Sequence, residues 1–258
     1  MIAPVNAWVV VAVLLLGGAL ALAPIVWSWF DPTSPARAVE RLVAVLGTWG
    51  GIRDFVAEVA VRGDEGEVLG TLLFLAPAYV RLNLVAPGTL AGEVFSLRPV
   101  GEEWLFVHYR PSVDIGIEAR IAAQVLEASL DLPTPAQVWD RLRRGAIRVA
   151  YTPASPGNGP QDGGEDQFDI MGVSGAFPRV VLHVDRSTLL PTLVQLFSDP
   201  AGRPALEVEV RELSVNTGLE LREVFRLERA TGEPAPGRWL SHVEVPPPPA
   251  PVPPPGEP

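Results

Sequence analysis

Cysteine and lysine are both absent from this 258-residue sequence. Without cysteine the chain has no disulfide, no thiolate nucleophile, no cysteine-ligated zinc and no lipid attached to an N-terminal cysteine. Without lysine it has neither a Schiff-base amine nor the lysine of a phosphate-binding loop. Any attachment to a membrane must therefore be made by the peptide itself.

Positive charge is also scarce, because 20 arginines face 30 acidic residues and the formal net charge is -10. This balance disfavours nucleic acid and anionic lipid headgroups as partners held by charge. His108, His183 and His242 lack the close spacing of a metal site, so neither a metal nor another cofactor is expected. Ser174 in "GVSGA" lacks the second glycine of a nucleophile elbow. The sequence therefore predicts no catalytic residue, and we expect a protein that is not an enzyme.

The N-terminal 30 residues carry no charged side chain. The stretch from Trp8 to Phe30 is long enough to cross a hydrocarbon core of about 30 Å as a helix. Residues 1–33 are thus expected to be a membrane anchor, which makes the protein a single-pass protein of the cytoplasmic membrane.

A cleaved signal peptide is the alternative, because "ALALA" at residues 19–23 offers small-residue cleavage sites. Cleavage would make the protein secreted or periplasmic. Arg37 and Arg41 weakly favour keeping the following domain in the cytoplasm. Charge alone therefore leaves the orientation open.

Residues 34–240 are long enough for one domain of roughly 200 residues with a sizeable core. Within it, the stretch 152–166 is rich in turn formers and acid and is expected to be a mobile surface loop. Residues 241–258 form a proline-rich tail, which is expected to be disordered and extended.

Strand patterns dominate this domain. Alternation begins at Phe55, "GDEGE" at residues 63–67 predicts a hairpin turn, and Pro77 divides the apolar run Leu69–Gly88 into two strands. Two further strands are expected at 92–98 and 103–110. Four more strand-like segments follow between Val180 and Leu227.

Helical spacing interrupts the strands. It is found after Ser34-Pro35, at Ile117, Ile121 and Val125, and after Thr134-Pro135 up to Gly145. A long antiparallel meander interrupted by helices predicts an α+β fold, with a strongly curved antiparallel sheet whose concave face carries the helices.

Apolar residues on adjacent predicted strands are the candidates for a binding surface. A filled core uses the same residue types as an apolar cavity, so their presence alone does not distinguish the two. The candidate cavity residues are Leu72, Phe74, Val80, Leu82, Leu84, Phe95, Leu97, Leu105, Val107 and Tyr109.

The pattern from residue 35 to 232 resembles the LolA/LolB-like superfamily of bacterial lipoprotein carriers, which includes outer-membrane lipoprotein-sorting domains. The resemblance is carried by "GTLLFLAPAYVRLNLVAPG", in which an apolar strand leads through proline to Arg81, and by a later run in which Asp185 and Pro191 precede "DPAG" at residues 199–202. It implies an unclosed barrel that holds acyl chains outside the cytoplasm. The chain departs from the family pattern in its N-terminal segment and in having no cysteine for lipid attachment.

From this resemblance we expect a membrane-tethered, carrier-like protein of the bacterial cell envelope that binds the acyl chains of a lipid or lipoprotein. A regulatory or scaffold module that uses the same fold to bind a protein partner is the alternative. Fold similarity does not choose between the two.

Overall fold

The computed structural model describes residues 37–64, 66–123, 141, 144, 146–152, 164–227 and 238–240. The helices and strands in these ranges are α1 Arg37–Gly50, β1 Asp54–Gly63, β2 Gly66–Leu75, β3 Tyr79–Ala86, β4 Val94–Val100, β5 Glu103–Arg110, β6 Ile115–Ala122, β7 Arg148–Thr152, β8 Glu165–Met171, β9 Arg179–Asp185, β10 Pro191–Phe197, β11 Leu206–Val215, α2 Leu221–Phe225 and β12 Arg238–Leu240.

All the described strands belong to one sheet, in the order β12-β6-β5-β4-β3-β2-β1-β11-β10-β9-β8-β7. The strands β1 to β6 form one antiparallel meander and β7 to β11 form another. The long β1–β11 ladder joins them, with Phe55 opposite Val215 and Gly63 opposite Leu206. At one edge β12 pairs with β6 in parallel. The sheet is therefore open, with β7 and β12 at its two edges.

The apolar run Leu69–Gly88 forms β2 and β3 on either side of a turn at Pro77, as the sequence predicts. Gly70 lies where these two strands approach closely. A Cβ atom built on Gly70 would lie 2.7 Å from the backbone oxygen of Asn83 and 2.9 Å from Leu82 Cδ1. Glycine is therefore required here, because any side chain would push the two backbones apart.

The two faces of the sheet differ in chemistry. Cross-strand partners lie on the same face, so the register assigns each side chain to one face or the other. We call the face that carries Phe55 the inner face and the opposite one the outer face. The inner face contributes most of the main hydrophobic core.

Helix α1 packs on the inner face through one apolar stripe. Leu42, Val45 and Trp49 are buried in the same core as the inner-face side chains. The Trp49 indole Nε1 donates a hydrogen bond to the backbone oxygen of Leu189 at 2.8 Å. The spacing of Leu42, Val45 and Trp49 is that of one helical face, which explains why this segment folds as a helix against the sheet.

The outer face of the β2–β1–β11 sector is charged at the end that carries Arg62. Arg62 donates to Glu67 at 2.5 Å, to Glu207 at 2.8 Å and to Glu209 at 2.5 Å. These hydrogen bonds raise the pKa of Arg62, so the guanidinium stays charged. Apolar inside and charged outside is the pattern of an antiparallel sheet with one solvated face.

The predicted fold class, an α+β fold with several helices on the concave face of the sheet, is wrong. Among the described residues α1 is the one helix longer than five residues, and the chain is mostly one large antiparallel sheet. The helix expected through Ile117 and Ile121 is strand β6, which pairs with β5 from Ile115 to Ala122. Apolar residues four apart also fit an alternating pattern, and in so short a segment the pairing with β5 decides. The helix expected between residues 134 and 145 lies almost entirely outside the described residues.

The fold-class prediction also included a transmembrane helix ahead of the sheet. No helix in the described part of the chain is long and apolar enough to cross a membrane. The predicted segment from Trp8 to Phe30 lies outside that part, as do most of the loop at 152–166 and the tail at 241–258.

Candidate functional site

Seven of the ten candidate cavity residues share the inner face. The register places Leu72 opposite Leu82, and Leu82 opposite Phe95, so the three side chains form one row across β2, β3 and β4. The neighbouring rows supply the remaining four, which are Phe74, Val80, Leu84 and Leu97.

The other three candidates lie on the outer face. Val107 pairs with Ser96 and Tyr109 pairs with Val94, which puts them, with Leu105, on the side opposite Phe95. They cannot line the same surface as the other seven. Strand β5 is apolar on both faces, so its sequence does not reveal which set points inward. A shift of one residue in register exchanges the two faces.

The residues that β5 contributes to the inner face are Phe106 and His108, which pair with Leu97 and Phe95. The His108 ring stacks on Phe95 with centroids 4.3 Å apart. Neither Phe106 nor His108 was among the candidates. Their signal in the sequence was weak, because Leu105 and Val107 beside them are equally apolar.

Strands β8 to β11 extend the inner face beyond β1. Its apolar side chains join the same core as those of β1 to β4, although none was predicted as a site residue. The alternation in "LEVEV" indicates which residues of β11 lie on its apolar face. Only the β1–β11 ladder shows that this face is continuous with the inner face of β1 to β4. The inner-face residues of this half include Phe168, Leu182, Val194, Leu196, Leu206 and Val208.

The seven inner-face candidates are tightly enclosed, since none of them is more than 3% exposed. Side chains this deeply buried are in van der Waals contact with protein atoms on all sides. The inner face is therefore packed in this state, and a ligand can reach it only if the packing on it changes.

The outer face of β3 is covered as well. Arg81 on this face donates to the backbone oxygens of Val224 at 3.4 Å and Arg226 at 2.6 Å. This anchors α2 against β2 and β3, and Val224 is fully buried there. The apolar residues on both faces of the Leu69–Gly88 run are thus explained by cover on both sides of the sheet.

A buried pair of ionisable groups stands at the end of the apolar row. Glu93 and His108 are 2% and 4% exposed, with Oε2 and Nε2 2.8 Å apart. Arg110 donates to the other carboxylate oxygen of Glu93 at 3.0 Å. Burial lowers the pKa of His108, outweighing the opposite effect of Glu93, so the ring is neutral near pH 7.

A second polar group lies under α1. Asp166, which is fully buried, accepts a hydrogen bond from Arg41 Nε at 2.9 Å. Burial raises the pKa of Tyr151, and a hydrogen bond to Asp166 adds to the effect. This cluster connects α1 with β7 and β8 at one end of the inner face.

The remaining polar residues singled out in the sequence have structural contacts. Ser174 Oγ accepts a hydrogen bond from the backbone N–H of Phe177 at 2.9 Å, and both residues are buried at the ends of a turn. His183 lies on the outer face beside Glu165, at 3.3 Å. His242 lies outside the described residues.

No protein-family model matches the chain, and no curated protein matches its sequence. Solved structures that it resembles include an outer membrane lipoprotein-sorting protein domain from Vibrio parahaemolyticus, at 14% identity and a TM-score of 0.39, covering 73% of this chain and 96% of that one. A LolA superfamily protein from Nitrosomonas europaea gives 15% identity and a TM-score of 0.34, covering 75% of this chain and 99% of that one. The MucA/MucB complex of Pseudomonas aeruginosa gives 14% identity and a TM-score of 0.44, covering 73% of this chain and 60% of that one.

A LolA superfamily protein and a lipoprotein-sorting domain, the two classes named by the sequence resemblance, are thus among the structures to which the chain is similar. At these identities and TM-scores the similarity concerns the fold, and it transfers no ligand, activity or binding residue to this chain.

Proposed function

We propose that this protein is a non-catalytic binding protein of the bacterial cell envelope, which holds the acyl chains of a lipid or lipoprotein on its inner face. The observation that carries the proposal is the continuous apolar inner face, which runs through both halves of the open sheet and is formed by strands distant in the sequence. The similar structures include a lipoprotein-sorting domain and a protein complex, in keeping with a carrier-like or protein-binding module in general. The finer assignment to acyl chains rests on the inner face.

An acyl chain suits this surface because it is long, flexible and without polar groups along its length. Burying it stabilises the complex by about 0.8 kcal/mol per methylene, so even a partly accommodated chain is retained. Because the inner face is packed, uptake requires some of the packing to be displaced. Helix α1 is one described element that covers this face.

The domain is proposed to lie outside the cytoplasm. This location rests on the sequence resemblance and on the uncharged N-terminal 30 residues, which serve either as an anchor or as a signal peptide.

The absence of cysteine permits a direct test with single cysteine substitutions. Val194 and Leu193 are adjacent, partly buried residues of β10 that lie on the inner and outer faces, respectively. In full-length protein, oleate should slow the reaction of Val194→Cys with maleimide and leave Leu193→Cys unaffected. Mass spectrometry of lipids extracted from the purified full-length protein should also detect acyl species.

Equal protection of both cysteines, or of neither, together with an absence of extracted lipid, would contradict the proposal. The alternative, a regulatory or scaffold module for a protein partner, would then be favoured. Its specific support is the short edge strand β12, where Trp239 is 47% exposed. That alternative predicts a purified partner that is retained by the wild type and lost in Trp239→Ala or when residues 244–258 are removed.

A further inference from the structure

One buried polar atom on the inner face has no partner. In the part of the chain that the structure describes, Thr192 Oγ1 is the buried side-chain nitrogen or oxygen that makes no hydrogen bond. A hydroxyl hidden from water without a partner costs stability, so such atoms are rare in native proteins. Valine has nearly the same shape and would fill this strand position without that cost.

A β-bulge places this hydroxyl. Pro191 pairs with Val184 while Leu193 pairs with His183, so Thr192 is the extra residue between two successive pairs. Val194, two residues further along β10, faces inward opposite Leu182. Alternation along the strand therefore puts Thr192 on the inner face as well. Bulges redirect side chains and are common beside functional sites.

The neighbours of Thr192 on the inner face are apolar, and a polar cluster lies two strands away. Val184, its neighbour across the bulge, is fully buried, and Val194 packs against the core. Val184 also pairs with Asp166, which puts the Arg41–Asp166 ion pair two strands from β10, about 10 Å away at normal strand spacing. The hydroxyl thus lies among apolar side chains, two strands from the polar cluster under α1.

We propose that Thr192 Oγ1 donates a hydrogen bond to the carbonyl oxygen of an acyl ester, and so fixes how deep the chain lies on the inner face. This inference rests on the proposed function and adds a binding residue to it. An ester carbonyl is the group of an acyl lipid that enters an apolar site together with the chain and needs a donor there. The Thr192 hydroxyl, which makes no hydrogen bond within the described structure, can supply that donor.

The test compares an ester with an alkane of equal chain length. The affinities of methyl dodecanoate and tetradecane are measured by their displacement of the fluorescent probe N-phenyl-1-naphthylamine from full-length protein. The protein is kept in a fluorinated surfactant, because fluorinated chains mix poorly with hydrocarbon and so compete little for the site. The ester-to-alkane affinity ratio should fall by about twofold to tenfold in Thr192→Val, which corresponds to one net hydrogen bond. Thr192→Ser should keep the ratio of the wild type. The matched control is Thr71→Val on the outer face, opposite Glu58, which should also keep it.

Thermal unfolding without ligand supplies the second readout. Thr192→Val should unfold at the same temperature as the wild type or higher, because it removes an unpaired hydroxyl. A lower temperature would show that the hydroxyl has a partner in the free protein, which overturns the inference. If the ester binds and its ratio is unchanged in Thr192→Val, the inference alone fails. If the wild type takes up neither compound, the proposed function fails and the inference fails with it.

Discussion

At the scale of single residues, His108 is the group whose protonation is linked most directly to the inner face. Its ring is buried against Phe95, and the charged groups that face it are Glu93 and Arg110. Burial lowers the pKa of His108 in the folded protein below its usual value of 6.5. The unfolded chain therefore binds a proton at a higher pH than the folded protein does.

This difference predicts an acid sensitivity that depends on His108. The contribution of neutral His108 is fully present above the unfolded pKa and is lost as the pH falls below about 6.5, with a slope of at most about 1.4 kcal/mol per pH unit. His108→Gln keeps a hydrogen-bond donor for Glu93 but does not titrate. The free energy of unfolding, measured between pH 7 and 5, should therefore fall less steeply in His108→Gln than in the wild type.

The matched control is His183→Gln, because His183 lies on the outer face and is partly exposed. Because it leaves the inner face untouched, a change of slope that both substitutions share would not be specific to the buried ring of His108. An identical slope in the wild type and in His108→Gln would show that His108 titrates alike in the folded and unfolded states.

At the scale of secondary-structure elements, α1 is held by the Arg41–Asp166 ion pair and by hydrogen bonds from Arg41 to the backbone oxygen of Arg186 and from Trp49 to that of Leu189, as well as by its apolar stripe. The Asp166 side chain is fully buried, whereas that of Arg41 is 30% exposed. The Asp166 carboxylate is therefore removed from water, whereas the Arg41 guanidinium stays partly hydrated. Removing the arginine leaves a buried carboxylate with less compensation, and this is more costly than losing a surface pair.

Replacing Arg41 with methionine should loosen α1. We expect a loss of about 2 to 3 kcal/mol in the free energy of unfolding, less than for a fully buried pair because Arg41 is partly solvated. Amide hydrogen exchange in α1 should become faster, while exchange in β1 and β2 changes only with global stability.

A solvated ion pair provides the comparison for Arg41. Arg203 and Asp64 are 86% and 73% exposed, so Arg203→Met should change stability by less than about 0.5 kcal/mol. Equal effects of Arg41→Met and Arg203→Met would contradict the importance of the buried carboxylate.

At the scale of the whole molecule, the open sheet combines two meanders into a single inner face. Their connection depends on β1 and β11, which are separated by most of the chain and pair over nearly their full length, with one register shift between Glu58 and Val59. This ladder joins both halves, and their inner-face side chains belong to one core. A ligand on the inner face would therefore contact residues from both ends of the sequence.

The proposed location outside the cytoplasm is a property of the whole chain and can be tested through an exposed residue. Val85 is 60% exposed, and the chain has no other cysteine to react once Val85→Cys is made. A membrane-impermeant maleimide should label full-length Val85→Cys in intact spheroplasts, and in their medium if the N-terminal segment is cleaved. Labelling that requires lysis would place the domain in the cytoplasm, as the Arg37 and Arg41 charge signal favours.

The sequence by itself determined the elements whose signals are local. Alternation fixed β1 and β3, the turn residues and Pro77 bounded β2 on its two sides, and the apolar stripe fixed α1. Seven of the ten candidate cavity residues share one face, because they occupy alternate positions of β2, β3 and β4.

Only the tertiary structure decided the rest, because it depends on contacts between distant segments. Cross-strand pairing with β4 decided which side of β5 faces inward, and pairing with β5 made Ile115–Ala122 a strand although its spacing also fits a helix. The bulge at Thr192 arises from a mismatch between two strands, which neither strand encodes alone. Local sequence sets the period of a side-chain pattern, whereas the partner strand sets its phase and so decides which residues meet.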